Sequence, residues 1–155
     1  MNALRRNVLK GAAGAGTVAV AVAAGLLKPT QAMAAWNKPA FEAKNVGDAM
    51  KGLGVSGPAD SKDIVIKAPD IAENGAVVPV EVTSNLSGTS SIAIFAEKNA
   101  TPLVASYALA GGTEGYVSTR IKMGQTALVR AVVSAGGKSY TAAKEVKVTI
   151  GGCGG

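Results

Sequence analysis

The residues of this 155-residue chain best placed to do chemistry are its last five, Gly151-Gly152-Cys153-Gly154-Gly155, which hold its only cysteine. A thiolate is the strongest nucleophile among side chains, and a sulfur–sulfur bond can be made, extended and broken while the carrier sulfur stays in place. No charged residue adjoins Cys153, so nothing local activates the thiol. Catalysis would have to come from whatever the thiol meets. Glycine adopts nearly every backbone conformation, and five extended residues reach about 16–18 Å. Gly151, Gly152, Gly154 and Gly155 therefore make a thin, flexible arm that swings the thiol into a narrow cleft. The pattern is that of a substrate holder.

Other uses of a lone thiol are weaker. A structural cysteine would sit among apolar neighbours, and Cys153 has none in sequence. Prenylation needs a cysteine fourth from the end, whereas Cys153 is third. A lipoprotein anchor would place a cysteine just after an export signal. An intermolecular disulfide stays open, because an unpaired cysteine in an oxidising compartment often finds a partner. That alternative makes the protein a structural or interaction domain joined through Cys153. A thiol oxidoreductase would need a second cysteine or an activating neighbour.

Absences narrow the classes further. With no histidine and one cysteine, the chain has no Ser/His/Asp or Cys/His arrangement and no zinc or copper thiolate site. No phosphate-cradling glycine motif follows a strand. The expectation is a protein with no active site, metal or cofactor of its own, acted on by partner enzymes.

What must hold such an arm is a rigid body, and residues 35–150 supply the pattern of one. Residues 39–53 read as a short amphipathic helix with Ala43, Val46, Met50 and Leu53 on one face. Residues 54–62 read as a loop. From Asp63 the period changes to two. Strands are expected over 63–69, after the Asn74-Gly75 turn with Val78, Val80 and Val82 sharing a face, and over 91–97, 101–109 and 116–123. Two more follow, in QTALVRAVVS and in YTAAKEVKVTI ending at Ile150. About seven short strands with turn-formers between them indicate an all-β, immunoglobulin-like antiparallel β-sandwich. Leu128 and Val132 are expected on an outward face suited to dimerisation.

Residues 1–34 are expected to be an export signal. Arg5, Arg6 and Lys10 precede an uncharged run from Gly11 to Leu27, and Ala32-Met33-Ala34 is a small-x-small cleavage site. The run is shorter and less apolar than a membrane span requires. Arg5-Arg6-Asn7-Val8-Leu9-Lys10 is similar to the twin-arginine pattern, which exports folded cargo, and a general secretory signal is the competing route. Removing the segment leaves twelve basic and ten acidic residues, a net charge of +2. That near-neutral balance gives no electrostatic case for nucleic acid.

The terminal Gly151-Gly152-Cys153-Gly154-Gly155 resembles the signature of the SoxY family of sulfur carriers. Support comes from Ala68-Pro69, from Ile71-Ala72-Glu73-Asn74-Gly75-Ala76 and Val78-Pro79-Val80, and from the twin-arginine segment. The resemblance implies a periplasmic protein with no membrane attachment after cleavage, paired with SoxZ as a heterodimer. It implies that the SoxAX cytochrome couples thiosulfate oxidatively to Cys153, that the SoxB hydrolase releases sulfate, and that SoxCD, where present, oxidises the remaining sulfur.

Overall fold

The computed structural model describes residues 37–149. The expected signal, with Arg5, Arg6 and the cleavage site after Ala34, and the segment holding Gly151, Gly152, Cys153, Gly154 and Gly155 both lie outside the described residues.

Two short helices open the described chain, α1 over Lys38–Glu42 and α2 over Val46–Gly52. Asn37 caps α1 by accepting from the Ala40 amide, and Pro39 sits in its first turn, where a missing N–H costs nothing. The expected single helix over 39–53 is therefore corrected to two. The break lies at Ala43, which is extended (φ −57°, ψ 141°), and at Asn45, whose Oδ1 accepts from the Asp48 amide at 2.8 Å to start α2. A short amide side chain that satisfies a free backbone N–H competes with helix continuation. The Asn45 amide, and then Lys51, hold the Asp48 carboxyl below its ordinary range. The expected apolar face survives the break, because Ala43, Val46, Met50 and Leu53 all pack on one cluster with Phe95.

Seven strands follow, with two two-residue pieces between them. They are β1 (Ala59–Asp60), β2 (Ile64–Lys67), β3 (Ile71–Ala72), β4 (Val78–Ser84), β5 (Thr89–Ala96), β6 (Leu103–Ala108), β7 (Tyr116–Ile121), β8 (Ala127–Ala135) and β9 (Lys138–Val148). One sheet runs β1-β9-β8-β5-β6, with β3 also on β9, and the other runs β2-β4-β7. The ladders between the seven longer strands are antiparallel. The exceptions are β1, between the helices and β2, and β3, between β2 and β4, which pair with β9 in parallel along its outer edge. Gly136 and Gly137, both at positive φ, join β8 to β9 through a two-residue hairpin that no L side chain favours.

The sheets face one another across a single apolar layer. Val78, Val80 and Val82 of β4 meet Ile92, Ile94, Val129, Ala131 and Val133, and each is buried. Burying a side chain of that size contributes about 1.5–3 kcal/mol. The opposite face of β5 is buried as well. Ala93, Phe95, Leu103 and Val132 form a second cluster under Ala40 and Ala49 of the helices. This corrects the expected dimer face: Val132 is 2% exposed beneath α1 and α2, and only Leu128 stays open at 37%. The apolar strand face exists to seat the helices.

Candidate functional site

Cys153 and its four glycines fall outside the described residues, so the visible part of the site is the body from which they leave. The described chain ends at Thr149, one residue past β9. At 11 residues β9 is the longest strand, and it is held on both edges almost to that end. On one side β8 pairs with it as far as Ala127 against Val146. The Thr126 hydroxyl then accepts from the Val148 amide at 2.9 Å, taking over where the ladder stops. On the other side the Lys147 amide donates to the Asp70 carbonyl and the Thr149 amide to the Ala72 carbonyl, at 3.0 and 3.2 Å. A strand end tied this way does not fray.

The segment that ties it runs from Ala68 to Gly75. Lys144 on β9 reaches back to the Ala68 carbonyl at 2.6 Å and to the Asp70 carboxylate at 3.0 Å. Asp70 is largely exposed, so the ion pair itself is worth little. The bond to the carbonyl is the one that fixes the crossover. Past β3, Asn74 closes a turn by accepting from the Ala76 amide through its side chain and from Val77 through its carbonyl. Gly75 then lies close against Met123 and Val148. Its carbonyl accepts from the Met123 amide at 2.7 Å, and a Cβ there would run into the Met123 carbonyl oxygen and sit 2.8 Å from Val148 Cγ1.

In the sequence Asn74-Gly75 reads as a turn, within the 71–76 stretch that supports the family resemblance. Its proximity to Val148 shows a second demand on the glycine, close backbone approach at the root of the arm. Thr126, Asp70 and Lys144 were missed, and no local pattern marked them. Gly75→Val is therefore expected to destabilise the domain by about 1–3 kcal/mol, as over-packing against backbone does. Urea unfolding reads the stability, and hydrogen exchange at Val148 and Thr149 should quicken. Unchanged exchange at those two amides would disprove the role given to Gly75.

Among the described residues no three of His, Cys, Asp and Glu come together to bind a metal.

A protein-family model described as "Sulfur oxidation protein SoxY" matches residues 50–153. Among solved structures, the chain is similar to the sulfur carrier protein SoxY from Chlorobium limicola f thiosulfatophilum. The two share 44% identity over 65% of this chain and 92% of that one, with a TM-score of 0.59. It is also similar to a superoxide reductase (neelaredoxin) from Ignicoccus hospitalis, at 17% identity over 59% of this chain and 83% of that one, with a TM-score of 0.51. At that identity the likeness shows the fold alone. No curated protein sequence matches the chain.

Proposed function

The chain belongs to the SoxY family of sulfur-oxidation proteins, and from that premise we propose that it carries sulfur intermediates of thiosulfate oxidation covalently on Cys153. The observation that carries this reading is the root of the arm. β9 is bonded along both edges up to Thr149, and the segment that bonds it includes residues that back the family resemblance of the terminal motif. A rigid mount followed by glycines lets one thiol address several enzymes without disturbing the domain. The match of residues 50–153, which reaches the cysteine, supports the same reading.

In the proposed cycle the Cys153 thiolate and thiosulfate form a sulfur–sulfur bond, and two electrons pass to the SoxAX cytochrome. Water then attacks the terminal sulfonate sulfur at the SoxB hydrolase, releasing sulfate and two protons and leaving a persulfide on Cys153. SoxCD, where it operates, oxidises that remaining sulfur. The chain itself is not the catalyst in any step. SoxZ is the proposed stable partner, and the periplasm, reached by the twin-arginine route, is the proposed location.

The direct test is an intact mass spectrum of protein purified from cells given thiosulfate, before and after a thiol reductant. Reducible adducts of sulfur or of thiosulfonate on Cys153 are expected. A single unmodified mass, or a disulfide dimer alone, would overturn the carrier reading in favour of a covalent structural dimer. The glycines have their own test. Replacing Gly152 and Gly154 with leucine should leave reactivity toward a small thiol reagent unchanged and slow transfer at the partner enzymes by about tenfold or more, since misplacing a reacting atom by an ångström costs about 100-fold. Normal transfer would mean the cleft does not need a thin arm.

A further inference from the structure

The sandwich is open along one side, where the large sheet ends in β6 and the small one in β7. Between them lies a groove of about 550 Å³. Buried Leu103 and Ile121 form its apolar floor, and exposed Lys98, Arg120 and Lys122 stand around it. No carboxylate lines the groove, and none of the three cations is ion-paired among the described residues. An apolar floor with a rim of one sign is the anatomy of a docking site.

The sheet edge beside it is uncovered too. The other long edge, β9, is overlaid by β1 and β3, whereas among the described residues no strand covers β6. β6 carries no charged residue, the usual guard of a free edge. The Leu109 amide donates to the Ser90 carbonyl, so the alternation of the ladder turns the backbone groups of Ser106 and Ala108 away from β5.

The groove is also next to the end of β9. Lys122 and Gly124 line it, and Asn99 clamps both, donating to the Lys122 carbonyl at 2.7 Å and accepting from the Gly124 amide at 3.2 Å. Met123, between them, bonds to Gly75 at the arm's root, and Thr126 of the same loop holds Val148. One loop thus serves both places.

We infer that this groove docks an extended, carboxylate-bearing segment of a partner enzyme, placing that enzyme's catalytic cleft within reach of Cys153. The inference rests on the carrier reading, and it commits to a protein segment because the apolar floor and the free strand edge serve a chain, whereas a small oxyanion would use the cations alone.

The test maps amide shifts of the full-length protein titrated with end-blocked hexaglutamate and, separately, with thiosulfate at equal charge. Hexaglutamate should move Lys98, Arg120, Lys122 and β6, and should bind about tenfold or more weakly to a Lys98→Glu, Arg120→Glu, Lys122→Glu variant. All three sites are exposed, and an unchanged thermal melt verifies that the variant folds. Scattered shifts, undiminished binding, or equal movement by thiosulfate would overturn the proposal. In parallel, enzymatic sulfur loading of Cys153 at low carrier concentration should slow about tenfold in the variant while small-reagent reactivity holds. Wild-type loading in the variant would sink the groove and leave the carrier standing. No loading of either protein would sink the carrier, and the peptide map would then judge the groove.

Discussion

Cys153→Ser should abolish thiosulfate-dependent turnover entirely while leaving the fold and partner binding as they are. A serine hydroxyl is not ionised near neutral pH and cannot enter a chain of sulfur–sulfur bonds, so no covalent intermediate can form. The chain has no second cysteine to substitute for the first. Among the described residues the last ties of the fold are those at Val148 and Thr149, ahead of residue 153 in the chain. The measurement is sulfate production in the reconstituted system, with an unfolding curve and a partner-binding assay alongside. Residual turnover would place the acceptor elsewhere, and no other thiol exists to receive it.

Phe95→Ala should cost about 3–5 kcal/mol, the range for truncating a buried aromatic. Phe95 is fully buried on the face of β5 turned from the other sheet, with Leu103 and Val132 beside it and Ala40 and Ala49 above. The alanines overhead are too small to fill the space, so a cavity would remain. Total stabilities of such domains run about 5–15 kcal/mol, which makes this a large fraction. Urea unfolding should show a lower midpoint at unchanged slope, and hydrogen exchange should quicken first across α1 and α2. The bonds of β9 to β3 and Thr126 lie outside this cluster. Thiol reactivity of Cys153 well below the transition should therefore match wild type. A cost under about 1 kcal/mol would show that the helices are seated by something other than Phe95.

Much of the sandwich was legible along the chain because strands write themselves locally. Val78, Val80 and Val82 alternate with Pro79 and Glu81, and they do face the core together. Ile92, Ile94 and Ala96 alternate with Ala93 and Phe95, and the two sets separate into two clusters. That second cluster was not foreseen. Alternation tells which residues share a face, but not what covers the face, and so Val132 was expected at a partner and is found under the helices. The helix break had a local cause, an asparagine cap competing inside an apolar repeat that continues across it.

The amino-acid sequence by itself determined the chemistry this protein can have: one thiol, no histidine, glycine on either side, and a period-two body before it. Residue types and near-neighbour spacing suffice for those statements, since nucleophilicity and backbone freedom are properties of the residues themselves. Only the tertiary structure decided how that thiol is mounted. Thr149 meets Glu73, 76 residues away along the chain, Thr126 takes the Val148 amide, and Met123 and Val148 leave no room for a side chain at Gly75. The cationic groove belongs to the same category, because Lys98 comes from the turn between β5 and β6 of one sheet and Arg120 from β7 of the other. Contacts of that range arise from the way the segments holding β1 and β3 pass the edge of β9 and from which sheet edges stay uncovered among the described residues. Local periodicity carries no record of either.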